Sequence, residues 1–195
     1  MKSLVVPIFT AALLALGPAA LAQETAPEWA MKRAESALTF TADQSGSPIE
    51  GRFERFEAAI FFDPADPEAG RVEVTIHMAS ATTDDSMRDD TLKSEDLFHV
   101  EAYPTATFSA DRFEKADGDD AYRAPGELTL RGVTRPVTLP FTLAIEGEGP
   151  GATAHAEGTI TIDRLDFGVG QGDWAETDTV ADPVDIGIDI RAVRQ

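Results

Sequence analysis

The stretch RVEVTIHM, Arg71 to Met78, places Val72, Val74, Ile76 and Met78 on one side of an extended chain and Arg71, Glu73, Thr75 and His77 on the other. Alternation with a period of two marks a strand with one buried and one wet face. The pattern recurs on both sides of this stretch. Upstream, Leu38, Phe40 and Ala42 alternate with Ala37, Thr39 and Thr41, and a run from Gly51 to Phe62 gathers Phe56, Ala58, Ile60 and Phe62 on one face. Phe53 has the wrong parity for that face, which predicts a bulge near Glu54 and Arg55. Downstream, Ala106, Phe108 and Ala110 share a face, as do Leu128 and Leu130. Val137, Leu139, Phe141, Leu143 and Ile145 form the longest row; Ala154, Ala156, Gly158, Ile160 and Ile162 make another, and Val184, Ile186, Ile188 and Ile190 the last.

Turn residues punctuate these rows at Asp63 to Pro67, Asp117-Gly118, Gly132 to Pro136 and Gly147 to Gly151. About eight strands with hairpin-like connections predict an all-β, antiparallel sandwich or barrel and exclude a βαβ fold. The polar segment from Ala81 to Tyr103 breaks the pattern. Ser86 to Lys93 is predicted as a short helix there, with Leu92, Leu97 and Phe98 anchoring it over one end of the β structure. A connection of this length is more often functional or structured than idle. With no internal repeat or linker, residues 23–195 are expected to form one domain.

Residues 1–22 read as a cleavable signal peptide. Lys2 precedes an apolar run from Leu4 to Leu16, and Ala20-Leu21-Ala22 supplies the small-x-small cleavage pattern. The run is shorter than the ~20 residues a spanning helix needs, and no later stretch could cross a bilayer as a helix. Export to a periplasm is the expectation. The chain has no cysteine, which removes disulfides, thiolate chemistry and Cys-ligated metals. Cleavage would leave 15 basic against 35 acidic residues. Such a surface repels phosphate backbones and excludes nucleic acid as a partner.

The inward rows mix very large and very small side chains, with phenylalanines among Ala58, Ala106, Ala110, Ala154, Ala156 and Gly158. A closed barrel of about eight strands is wide enough to be filled by side chains or to hold one small ligand. Pattern alone leaves both a dry interdigitated core and an apolar cavity open. Trp29 and Trp174 likewise fit either a core plug or a ligand stacker.

Little in the sequence reads as catalytic. His77 and His155 fall on the outward parity of their strands, and His99 lies in the long connection. The acidic cluster Asp84-Asp85, Asp89-Asp90 and Glu95-Asp96 lacks the glycine of a calcium loop. Gly168-Val169-Gly170-Gln171-Gly172 opens no helix and is expected to be a flexible turn, not a nucleotide loop. Arg52, Arg55, Arg88, Arg131, Arg135 and Arg164 are candidates for holding an anionic head group at a barrel mouth, with surface ion pairs as the default. No catalytic residue, metal or cofactor is assigned.

Five blocks in order carry a family resemblance: GRFERFEAAIFFDP (Gly51 to Pro64), VEVTIHMASATT (Val72 to Thr83), LKSEDLFHVEAYPTATFSA (Leu92 to Ala110), GELTLRGVTRPVTLPFTL (Gly126 to Leu143) and IDRLDFGVGQGDW (Ile162 to Trp174). From about Trp29 to Ala192 the chain resembles the YceI-like proteins, exported lipocalin-like barrels associated with polyisoprenoid binding. The resemblance implies an eight-stranded antiparallel barrel with a helical segment near Ser86–Lys93 and an apolar tunnel for a polyprenyl phosphate or a quinone tail. Three positions depart from the family pattern. Gln44 stands where many members carry histidine; Leu97 and His99 replace an aromatic and an acidic residue. The glutamine form looks like a subgroup found beside membrane b-type cytochromes, which implies a quinone ligand and such a cytochrome as partner. The expected function is therefore a periplasmic carrier of an isoprenoid lipid or quinone. Phe40, Phe56, Ile60, Phe62, Phe108, Leu130, Phe141 and Ile160 are expected to line the tunnel. The rival readings are an interaction or stress-protective module, and an enzyme acting on an isoprenoid head group through His99 or an arginine.

Overall fold

A computed structural model describes residues 26–195; the signal-peptide reading of residues 1–22 lies outside the described residues. The described residues form twelve strands: β1 Glu28–Met31, β2 Ala37–Gln44, β3 Ser47–Phe53, β4 Phe56–Phe61, β5 Arg71–His77, β6 Ala81–Thr82, β7 Thr105–Ala110, β8 Glu114–Lys115, β9 Ala121–Leu130, β10 Val133–Glu146, β11 Thr153–Asp163 and β12 Val180–Arg194. Among the described residues one α-helix, α1, spans Ser86–Lys93. All pairings are antiparallel, and β1 pairs with both β4 and β12, so the sheet closes on itself.

The twelve strands make eight staves. β1 with β2, β3 with β4, β5 with β6 and β7 with β8 are each one stave broken once: β1 pairs β4 and β2 pairs β3, β4 pairs β5 and β3 pairs β6, and β7 and β8 both pair β9. The run from Gly51 to Phe62 is thus two strands rather than one strand with a bulge. The break at Glu54 and Arg55 aligns with a 3₁₀ turn at Arg33–Glu35 and another at Met78–Ser80. Backbone groups freed by the breaks find side chains. The Arg33 guanidinium donates to the carbonyls of Glu54 and Phe56, and Ser80 Oγ accepts from Arg55 N. Ser36 Oγ accepts from Arg191 N. A bent upper leaf, β2, β3 and β6, results, with these side chains taking up backbone groups at the fold line.

The remaining rows behave as their alternation predicts, with one change at the β9–β10 turn. Arg131 and Gly132 both have positive φ, 50° and 73°, and form a two-residue turn that matches the twist of the flanking strands. Pro136 therefore lies inside β10 rather than in the turn. It and Pro140 are tolerated because β10 pairs with β11 only from Phe141 onward; at both prolines its sole ladder partner is β9.

At the upper end, α1 is tied to β6. Asp85 caps its N-terminus by accepting from Arg88 N at 3.0 Å. Asp89 accepts from Thr82 Oγ1 at 2.7 Å, Thr83 N at 2.7 Å and Thr83 Oγ1 at 2.9 Å. Burial pushes the Asp89 carboxyl up, but these hydrogen bonds and Lys93 outweigh it and hold the group below its ordinary range. The segment after β11 is fixed by Arg164, which is 4% exposed. Its guanidinium donates to the carbonyls of Ala181, Val169, Trp174, Glu176 and Val180. The glycine-rich run beside it is pinned rather than flexible. Gly170 N and Gln171 N donate to Asp96 O, and Val169 is buried. A side chain at Gly170, whose φ is 118°, would collide with the Arg164 guanidinium.

Arg164→Met is expected to lower unfolding stability by about 3 kcal/mol or more, since five carbonyls lose their charged donor in a buried site; chemical denaturation measures it. The Asp89 contribution is present at neutral pH and fades as pH falls through its depressed pKa. The protection of the α1 amides relative to their intrinsic exchange rate is expected to fall in acid, and Asp89→Ala to lower it already at pH 7.

Candidate ligand tunnel

Which parts of the barrel are solid follows from side-chain size. At the end where β1, β4 and β12 meet, Phe62 packs edge-on against Phe113 and Tyr122 with centroids 5.1 and 5.3 Å apart, and Phe141 stacks on Tyr122 at 5.7 Å. Trp29, 4% exposed, donates from Nε1 to Phe62 O at 2.9 Å. This aromatic plug leaves a recess of only about 60 Å³.

Above the plug the interior is hollow. A middle chamber of about 160 Å³ is bounded by apolar side chains alone, among them Phe56, Ala58, Ile60, Phe108, Phe141, Ala156 and Ile160. An upper chamber of about 170 Å³ follows, bounded by Phe40, Phe53, Leu92, Phe98, Ala106, Leu130 and Trp174. Leu38, Ile76, Leu128 and Ile186 border both chambers, and Ile60, Phe141, Ala156 and Ile190 border both the middle chamber and the recess. The spaces thus lie in series along the barrel.

Polar side chains line only the upper chamber: Gln44, Thr83, Arg88, Thr91 and Arg164. Three of them already have partners. Thr83 serves Asp89, Thr91 donates to Met87 O, and Arg164 spends its donors on carbonyls. Among the described residues, the side chains of Gln44 and Arg88 have no hydrogen-bond partner, so both can meet a ligand's polar end.

Of the eight residues expected to line a tunnel, Phe40 and Leu130 border the upper chamber, and Phe56, Ile60, Phe108, Phe141 and Ile160 the middle one. Phe62 borders only the recess and belongs to the plug. Trp29 is the plug's outer side chain, whereas Trp174 faces the upper chamber. Of the arginines, Arg88 alone is both at the chamber and free. Arg52 pairs outward with Asp84 at 2.8 Å, and Arg131 donates to Glu95 O. His99 is not a lining residue; its ring stands edge-on to Tyr103 at 5.6 Å. Arg88 is one of the arginines that the sequence offers for a head group, and Gln44 stands at a departure from the family pattern; Ile49 of β3, which lines the same chamber, lies outside the alternating rows and has no signal there.

Comparisons with known proteins agree with this architecture. The model of the family described as YceI-like domain matches residues 29–192. A UPF0312 protein of Pseudomonas aeruginosa is 42% identical over 123 residues, 62% of this chain and 63% of that protein's length. The crystal structure of BcnA from Burkholderia cenocepacia superposes with a TM-score of 0.76 at 34% identity, over 83% of this chain and 98% of that one. A structure described as a polyisoprenoid binding domain from Saccharophagus degradans shares the fold with a TM-score of 0.65 at 15% identity, over 87% of this chain and 99% of that one. With its closed eight-stave barrel and a family match that spans it from Trp29 to Ala192, the chain belongs to the YceI-like family.

Proposed function

We propose that this protein is a periplasmic carrier that shelters the hydrocarbon tail of an isoprenoid lipid, a polyprenyl phosphate or a prenylated quinone, in the barrel. The observation that carries the reading is the polarity gradient along the interior: an aromatic plug, an apolar middle chamber, and an upper chamber with unpaired Gln44 and Arg88. A long tail enters from α1 and displaces nothing polar on its way down. Each Å² of apolar surface it buries contributes ~25 cal/mol before ordering costs. Its polar end stays beside Gln44 and Arg88. The binding function in the description of the Saccharophagus domain supports the same ligand class. The reading of residues 1–22 supports export. A b-type cytochrome partner rests on the Gln44 resemblance alone.

Carriage, not catalysis, suits this interior. No titratable side chain borders the middle chamber, and the arginine pair at the mouth divides into one structural and one free member.

Mass spectrometry of lipid extracted from natively purified protein is expected to find a prenyl lipid, and a reproducible absence of any apolar ligand contradicts the proposal. Ala156→Leu projects new bulk between the middle chamber and the recess. It is expected to weaken tail binding at least about tenfold, equal to 1.4 kcal/mol, with little change in melting temperature. A scaffold without cargo predicts no such separation. Arg88→Ala is expected to weaken a polyprenyl phosphate more than the matching polyprenol, because only the former presents an anion.

A further inference from the structure

The outer wall of the barrel carries an arrangement that lipid carriage does not use. His155 and Glu157 stand two residues apart on β11 and so share a face; Asp189 of β12 lies directly opposite Glu157 in the register. His155 Nε2 is 2.8 Å from Asp189 Oδ1 and 3.6 Å from Glu157 Oε1. One ligand atom from each of the three side chains lies within 4.8 Å of the other two.

Two carboxylates placed directly opposite each other on a sheet repel. A surface as acidic as this one adds to the cost, and the neighbouring cation does not relieve it. Arg191 is the residue opposite His155, yet it forms no ion pair with any described residue. On the flanking strands the direct neighbours are small: Ala144 beside His155, Thr142 beside Glu157 and Ala37 beside Asp189. No long side chain from those positions covers the trio, and its side chains are 24%, 60% and 45% exposed. A hydrogen bond between His155 and Asp189 accounts for one of the two contacts but leaves Glu157 facing Asp189.

We propose that His155, Glu157 and Asp189 form a binding site for a divalent transition-metal ion of the zinc class. Nitrogen and carboxylate ligands sit about 2.0–2.2 Å from zinc, so tetrahedral neighbours are separated by roughly 3.3 Å. The two observed imidazole–carboxylate separations, 2.8 and 3.6 Å, bracket that spacing. Three protein ligands on paired strands leave the remaining position to water, and the ion neutralises the opposed carboxylates. The imidazole favours zinc, copper or nickel over calcium and magnesium, which take oxygen ligands. The site lies on the outer surface of the barrel and is independent of the tunnel.

Calorimetric titration of the untagged, chelator-treated protein with Zn²⁺ tests it, with the visible spectrum of added Co²⁺ as a second readout of coordination. Saturable binding of one ion per chain is expected, weakened at least about tenfold in His155→Gln and in Glu157→Gln. His77→Ala serves as the control, since His77 contacts a single carboxylate, Glu57, at 3.1 Å and is expected to leave zinc binding unchanged. All three target residues are on the outer wall, and circular dichroism verifies that the variants fold. Absence of saturable zinc binding, or equal affinity in the wild type and His155→Gln, overturns the proposal.

Discussion

Closure of the ladder between the first stave and β12 is the constraint on which everything else depends. It fixes eight staves, and eight staves fix an interior just wide enough to be filled or to hold a slender guest. Side-chain size then decides, level by level, which of the two happens. Where Phe62, Phe113, Tyr122 and Phe141 converge the barrel is solid. Where Ala58, Ala106 and Ala156 take inward positions it is hollow. The same backbone geometry therefore yields a stopper at one end and a receptacle at the other.

A hollow interior forgoes dispersion contacts, and this chain has no cysteine with which to compensate by cross-linking. Rigidity comes instead from the closed ladder and from a few polar anchors around the wide end. Arg33, Ser36 and Ser80 bind backbone groups where three staves bend; Asp89 ties α1 to β6, and Arg164 gathers five carbonyls from the loop after β11 and the start of β12. The polar side chains at the mouth thus divide by role. Those with full hydrogen-bond complements hold the rim, and the two without them, Gln44 and Arg88, are left for a guest.

The all-β class, the inward rows and the position of α1 were legible in the sequence because period-two alternation and turn residues report on local geometry directly. The hollow was not. Phe40, Phe56 and Phe108 have the same inward parity as Phe62, yet three border chambers and one fills the plug. The difference depends on what lies across the barrel, and Phe113 and Tyr122 come from segments outside the strongest alternating rows. The break at Glu54 and Arg55 left its trace as a parity error at Phe53, which one residue of bulge explains as well as a fold line shared with two other staves. Arg164 looked like any surface arginine, because its partners are backbone carbonyls and no side-chain pattern records them.

The central claim is that a tail lies along the barrel axis with its tip toward the plug and its polar end at the mouth. The two tryptophans sit at opposite ends of that path, Trp174 at the upper chamber and Trp29 at the recess. Fluorescence of the single-tryptophan variants Trp29→Phe and Trp174→Phe, titrated with prenyl lipids carrying a nitroxide at the tail tip or at the head, measures the orientation directly. The account predicts that the tip label quenches Trp29 more strongly and the head label Trp174. Equal quenching by both labels, the reverse order, or no quenching at either end would contradict it.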